Sequence, residues 1–329
     1  MPSPLVAVAD SVFPSLDTAR EVLATIGARL QLAPQATPEE ILRIAAPADA
    51  LLVTYALITA EMIAGMPRCR IISRFGIGVD NVDIAAATKA GIVVTKVPDY
   101  CIDEVSDHTL ALLLAAARKI PLSNGQVHAG RWEMKAVVPI HRLRGSVLGL
   151  VGFGRIPQLV APKAKAFGLR VIAHDPYAPA DVLARSGVEH VGFAELLKQS
   201  DYVSIHTPLL PETRGLFDAG AFAQMKPTAY LINTARGPIV DDAALARALD
   251  AGQLAGAALD VMPQEPPVNS PLLGRDNVII TPHTSFYSEE SLLELQRKAA
   301  EEVVSVLTGQ PPRNAVNPEV LERSTFNVS

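Results

Sequence analysis

Six apolar runs, beginning near the middle of this chain, each give way to residues that can do chemistry. They end in turn at Gly152-Phe153-Gly154, at His174-Asp175, at His206-Thr207-Pro208, at Asn233-Thr234-Ala235-Arg236-Gly237, at Asp260 with Glu265 close behind, and at Thr281-Pro282-His283-Thr284-Ser285. A histidine can carry a proton near neutral pH. An arginine beside a glycine can grip a carboxylate with two parallel hydrogen bonds. Glu265 sits among Pro263, Pro266 and Pro267, a stiff loop suited to a residue that must hold a partner. By position alone His174, His206 and His283 are alternative acid/base candidates, or structural imidazoles.

The first run identifies a ligand. An apolar strand enters Gly152-Phe153-Gly154-Arg155-Ile156-Pro157, a helix follows over residues 158–167 with Pro162 inside it, and a second strand ends on Asp175, 21 positions after Gly154. That is the order of a dinucleotide-binding βαβ unit. Gly152 permits the tight turn and Gly154 the close approach of a pyrophosphate. The Arg155 and Ile156 amides at the helix start favour its charge. Asp175 can accept from a ribose diol and would repel a 2′-phosphate, so NAD is expected over NADP. His174 then lies on the adenosine side, the wrong end for hydride chemistry. Candidate cofactor contacts are Gly152, Phe153, Gly154, Arg155, Ile156, Asp175, His206, Thr207, Pro208, Thr213, Thr234, Ala235, Arg236, Asp260 and His283. The third glycine of the fingerprint is replaced by Pro157. With Gly154 as N-cap, Pro157 falls at N3, where its missing N–H breaks no helix bond.

These residues need a scaffold. Strands are expected at residues 147–151, 170–174, 202–205, 229–232, 257–259 and 278–280, a complete doubly wound domain. Before it, strands at 5–9, 51–54, 70–73 and 92–95 alternate with helices at 16–26, 38–46 and 84–90. That alternation implies a second parallel sheet covered on both faces. A helix at 102–118, closed by Pro121, links the two, and a last helix at 288–307 is expected to return to the first domain. The fold class is therefore α/β with two doubly wound parallel-sheet domains. The expected division is residues 1–101 with 289–329, and 102–288.

With 329 residues, 49% hydrophobic and 19% charged, the chain can bury two cores, and its net charge of −5 offers no basic stripe for nucleic acid. Cys69 and Cys101 are far apart and show no metal-ligand spacing, so no metal is expected and the thiols read as reduced. No basic region with an apolar signal core opens the sequence, and the longest apolar run, 110–117, is short of a membrane span. A cytoplasmic protein is expected. No Gly-x-Ser-x-Gly elbow and no phosphate-binding Gly-x-x-x-x-Gly-Lys loop is present.

The segments Arg74-Phe75-Gly76-Ile77-Gly78-Val79-Asp80-Asn81-Val82-Asp83, the glycine loop, Asn233-Thr234-Ala235-Arg236-Gly237, Asp260-Val261-Met262-Pro263-Gln264-Glu265-Pro266 and Thr281-Pro282-His283-Thr284 occur in this order. Together they resemble the D-isomer-specific 2-hydroxyacid dehydrogenases over nearly the whole chain. The resemblance implies a Rossmann NAD-binding domain inserted in a flavodoxin-like substrate domain. It implies that Arg236 binds the substrate carboxylate and carbonyl, that Glu265 pairs with His283 as the acid/base, and that the Ile77 and Gly78 amides meet the carboxylate. Formate dehydrogenases carry Gln where Glu265 stands. Val97-Pro98-Asp99-Tyr100, Ala164-Lys165-Ala166-Phe167-Gly168, Asp175-Pro176-Tyr177 and the run from Pro282 to Glu289 are similar to the C-terminal-binding-protein subgroup. Its animal members are corepressors with Trp in place of Phe286.

The expected reaction is reduction of a 2-keto acid by NADH, with His283 giving the proton. The alternative is an NAD(H)-sensing scaffold with little turnover. Phe286 and Tyr287 after the histidine suggest an uncharged substrate over a phosphorylated one. A homodimer is expected, using the apolar face Leu110, Leu112, Leu113 and Leu114 of the helix at 102–118.

Overall fold

In the computed structural model, which describes residues 3–323, the chain divides into two units, one of residues 1–100 with 288–329 and one of 101–287. The sequence puts those boundaries one residue later. The part of its first domain at 324–329 lies outside the described residues.

The first unit is built on β1 (Leu5–Val8), β2 (Arg29–Leu32), β3 (Ala50–Val53), β4 (Ile71–Arg74) and β5 (Val93–Thr95), all parallel, in the order β2-β1-β3-β4-β5. β1, β3, β4 and β5 are almost wholly buried because helices cover both faces of the sheet. β2 was not expected. Its sequence Arg-Leu-Gln-Leu lies at an open edge, mostly exposed, so it lacks the apolar run that marks the others. The helix Glu289–Leu307 belongs to this unit, capped by Ser288, whose hydroxyl accepts from the Ser291 amide while Ser291 answers to the Ser288 amide. The chain then covers the β5 edge: the Val316 amide donates to the Val94 carbonyl, and buried Asn317 accepts from the Val94 amide at 2.8 Å.

The second unit carries β6 (Val147–Val151), β7 (Arg170–His174), β8 (Glu189–His190), β9 (Tyr202–Ile205), β10 (Tyr230–Asn233), β11 (Gly256–Leu259) and β12 (Val278–Ile280). They form one parallel sheet in the order β12-β11-β10-β9-β6-β7-β8. Seven strands stand where six were expected; β8 is two exposed residues at the edge, too short and polar to show in the sequence. Side chains alternate between two cores. Leu148, Leu150, Val171 and Ala173 face one, Val151, Ile172, Val203 and Ile205 the other.

Two expectations about helices need correction. Pro121 does not close the helix Ile102–Ala117; it lies in the first turn of a new helix, Ile120–His128, after Lys119 turns the chain with φ 51°. Proline suits that position because its N–H would have no partner there. Leu110, Leu112 and Leu113 do not form an outer face either. They are 5%, 4% and 0% exposed and pack inside the second unit, so they cannot serve a partner chain. The exposed apolar residues lie just beyond, at Ile120, Val127, Trp132, Met134 and Val138.

Candidate active site

At the end of β6 the backbone does the shaping. Gly152 has φ +93°, and a Cβ there would fall 2.9 Å from the backbone of His206, so both conformation and space require glycine. The next helix is Arg155–Ala166 with Gly154 as N-cap, three residues earlier than the sequence places its start. The bond from the Gln158 amide to the Gly154 carbonyl, 3.2 Å, opens its hydrogen-bond ladder. The Arg155 and Ile156 amides precede it, and Pro157 is buried at N3 without breaking it. The space where a Gly154 Cβ would stand is open. A crowded turn, two amides ahead of the ladder and an open approach fit a pyrophosphate.

Asp175 follows β7. One of its oxygens accepts from the Phe153 amide at 2.8 Å, and the other from the Tyr177 and Ala178 amides at 2.8 and 3.1 Å. The carboxylate thus fixes the glycine loop. Beside it the His174 ring lies within 3.2 Å of the Val191 carbonyl through Nδ1 and stacks on His190.

His206 follows β9, its Nε2 2.9 Å from Ser204 Oγ. Burial pushes its pKa down to about 3, which favours the neutral ring. Thr207 and Pro208 continue the turn. Thr213 closes it: its hydroxyl donates to the Pro208 carbonyl and accepts from the Leu210 amide, both at 2.7 Å.

β10 ends in Asn233, 1% exposed. Its side chain donates to the Arg236 carbonyl and accepts from the Ala235 amide, both at 2.9 Å, pinning the turn. Thr234 Oγ1 meets Thr109 Oγ1 at 3.0 Å. Arg236 itself donates to the Ala235 carbonyl. A Cβ on Gly237 would fall 2.0 Å from the Met262 carbonyl carbon, so the loop of Arg236 lies directly on the loop of Glu265.

Glu265 accepts from the Met262 amide at 2.9 Å through Oε1, and its Oε2 is 2.7 Å from His283 Nδ1. The two side chains are 35% and 21% exposed. A pair that wet contributes little to stability. What it supplies is orientation: the contact with Glu265 fixes the imidazole through Nδ1. His283 has φ +52°, which costs a non-glycine residue about 1–2 kcal/mol. Such strain persists when neighbours over-determine it, and here they do. The His283 amide donates to the Asp260 carbonyl at 2.8 Å. The Asp260 carboxylate accepts from the Thr281 hydroxyl at 2.5 Å and from the Thr284 and Ser285 amides at 2.9 Å. His108, on the helix Ile102–Ala117, completes the buckle with Nε2 3.0 Å from Thr281 Oγ1. The sequence reading places Thr281 at the end of the last strand without a role and omits His108. The half of that helix from Asp103 to Thr109 is polar except for Val105, so no local pattern set His108 apart.

Ile77 and Gly78 belong to the first unit, half-buried just after β4. Among the described residues no group of three or more His, Cys, Asp or Glu is placed to hold a metal, and no helix is long and apolar enough to cross a membrane.

Residues 110–285 match the family model of the D-isomer specific 2-hydroxyacid dehydrogenase, NAD binding domain. The chain is 40% identical over 306 residues to a D-3-phosphoglycerate dehydrogenase of Methanocaldococcus jannaschii, covering 92% of this chain and 58% of that protein. It is 40% identical over 270 residues to a glyoxylate reductase of Korarchaeum cryptofilum, covering 80% and 81%. A solved D-lactate dehydrogenase from Aquifex aeolicus, complexed with NAD and lactic acid, superposes with a TM-score of 0.83 at 27% identity, covering 99% of this chain and 100% of that one. The chain spans only 58% and 55% of the length of the first two phosphoglycerate dehydrogenases it matches.

Proposed function

The chain belongs to the D-isomer-specific 2-hydroxyacid dehydrogenase family, and from that premise we propose that it interconverts a 2-keto acid and a D-2-hydroxy acid with NAD as cofactor. The observation that carries the proposal is the pair of Glu265 and His283, 2.7 Å apart on a backbone held in a left-handed conformation beside the loop of Arg236. A scaffold that only senses NAD(H) needs the cofactor grip and has no use for that strained pair.

The residues that would hold the dinucleotide are the Phe153, Arg155 and Ile156 segment, with Asp175 at the ribose and the ends of β9, β10 and β11 beyond. When bound, NADH supplies a hydride to the carbonyl carbon. Arg236 binds the substrate carboxylate with its planar fork and polarises the carbonyl. The Ile77 and Gly78 amides are assigned to the same carboxylate on the strength of the family resemblance. His283, protonated and oriented through Nδ1 by Glu265, gives a proton from Nε2 to the developing alkoxide, and takes it back in the oxidative direction. Asp260 keeps the imidazole loop in place.

The test is to mix the protein with NADH and 2-keto acids. Absorbance should fall and a D-hydroxy acid accumulate; NADH binding with no turnover of any keto acid would favour the scaffold. We further propose a homodimer in the cytoplasm, joined through the exposed apolar segment that holds Ile120, Trp132, Met134 and Val138. A monomeric mass by light scattering at micromolar concentration contradicts the dimer.

A further inference from the structure

The loop that carries His283 is fastened to the helix Ile102–Ala117 through one hydroxyl, and proton counting fixes the direction of each bond there. Thr281 Oγ1 lies 2.5 Å from Asp260 Oδ1 and 3.0 Å from His108 Nε2. A threonine hydroxyl has one proton, and a carboxylate only accepts. The proton therefore lies on the short bond to Asp260. Toward His108 the hydroxyl can only accept, so His108 Nε2 carries a hydrogen and donates it, whether the ring is neutral or charged. The Asp260 side chain is fully buried, and its Oδ1 stands 3.6 Å from the same nitrogen. A line of donors thus runs from His108 through Thr281 to Asp260, each bond polarising the next.

The carboxylate at the end of this line holds the loop. Its oxygens accept from the Thr284 and Ser285 amides, the two residues after His283. Without His108 the Thr281 oxygen loses a donor, and its hydroxyl is free to rotate away from Asp260. The backbone of His283, kept at φ +52° by its neighbours, is then the part that relaxes. The same turn of helix makes a second tie. Thr109 donates its one hydroxyl proton to the Val105 carbonyl at 2.8 Å, so it accepts from the Thr234 hydroxyl at 3.0 Å, two residues before Arg236. Both threonines are buried. Consecutive residues of one helix therefore reach the loop of the acid/base pair and the loop of Arg236.

We propose that His108 is a positioning residue for His283: its Nε2–H keeps the Thr281 hydroxyl on Asp260, and Asp260 keeps the imidazole loop in place. The proposal rests on the 2-keto acid reading above and adds a residue to its machinery. The experiment compares wild type, His108→Leu and His108→Gln in the full chain, with NADH and a panel of pyruvate, glyoxylate and 2-ketoisocaproate. The His108 side chain is 24% exposed, so neither substitution opens a cavity in the core. Glutamine reaches about as far from its Cβ as the histidine Nε2 and donates from its own Nε2; leucine fills the space and donates nothing. Misplacing a reacting group by about 1 Å can cost on the order of 100-fold in rate. His108→Leu should lower kcat about tenfold or more with the NADH dissociation constant unchanged, and His108→Gln should restore most of the loss. A role in stability alone would lower the thermal midpoint and leave the kcat of the folded enzyme where it was. A second readout needs no turnover: the ring nitrogen NMR resonances of His283 should move in His108→Leu and return toward wild type in His108→Gln. Wild-type kcat in His108→Leu, no recovery in His108→Gln, or His283 resonances that neither substitution moves overturns the positioning role and leaves the dehydrogenase reading intact. Reduction of none of the acids by wild type, with the His283 resonances moving as expected, overturns that reading and leaves the tie between His108 and His283 standing.

Discussion

Where β6 meets its helix, the main chain makes the site: a glycine turn against the His206 backbone, two amides ahead of the helix ladder, and a carboxylate already bonded to the loop. Where β10, β11 and β12 end, side chains make it: Asn233 pins Arg236, Glu265 holds His283, and Asp260 ties down the strained loop. The difference teaches what each region can tolerate. The first depends on the absence of atoms and on backbone direction, so added volume should damage cofactor binding. The second depends on particular functional groups, so their removal should damage turnover while the cofactor still binds.

The largest expected effect lies at the side-chain end. His283→Ala should lower kcat for keto-acid reduction by about 10²–10⁴ with the NADH dissociation constant changed by less than about threefold; equal losses in both would erase the contrast. Gly152→Ala reverses the pattern. Its Cβ would press on the His206 backbone at a positive φ, a strain of about 1–3 kcal/mol, and NADH titration should show binding weakened by about 10- to 100-fold. Arg236→Lys keeps the charge and loses the fork. It should cost roughly tenfold in kcat/KM for the keto acid, through KM and kcat together, and an effect on the NADH Michaelis constant alone would remove the substrate role.

A smaller effect concerns the support of the Glu265 loop. Asp242 opens the helix Asp242–Asp250 and accepts from Ser270 at 3.4 Å, tying that loop down. Burial, with Asp241 alongside, raises its carboxyl from 3.8 to about 6 against the Ser270 bond. A folded-state pKa above the unfolded value means that the native state binds the proton more tightly. Stability is therefore greater below about pH 4 on this account and declines as pH rises to about 6. Asp242→Asn should gain on the order of 1 kcal/mol at pH 7.5, after allowing for solvent access, and nothing at pH 4; thermal melts at the two pH values read this. The smallest effect returns to the backbone end. Pro157→Gly should tighten NADH binding by about 1 kcal/mol or less, because proline disfavours helical angles at Ile156 and its ring is buried where a glycine would let helix and strand pack more closely. Weaker binding would mean that the proline is needed there.

The same contrast explains what the sequence made legible. Alternating apolar runs and helices announce two doubly wound sheets, and the glycine loop with Asp175 announces a dinucleotide, because these depend on local spacing. Pro157 could be placed at N3 by counting from Gly154. β2 and β8 were hidden because an exposed edge strand need not be apolar. The leucines of the helix Ile102–Ala117 looked like an outer face because apolar side chains do not say what covers them. The proton donor could not be chosen among three histidines by position. Desolvation of His206, which favours its neutral ring, comes from tertiary packing. The role of Asp260 as the anchor of the His283 loop joins residues more than twenty positions apart, which no local pattern records.

The most direct measurement of the central claim follows the hydride. NADH deuterated at both C4 positions is incubated with the protein and a 2-keto acid that it reduces, and the product is resolved by chirality and mass. Deuterium at C2 of the D-hydroxy acid, one per NADH consumed and absent with His283→Ala over the same time, is the predicted result. Saturable NADH binding with no label in any hydroxy acid, or label in the L-isomer, contradicts it.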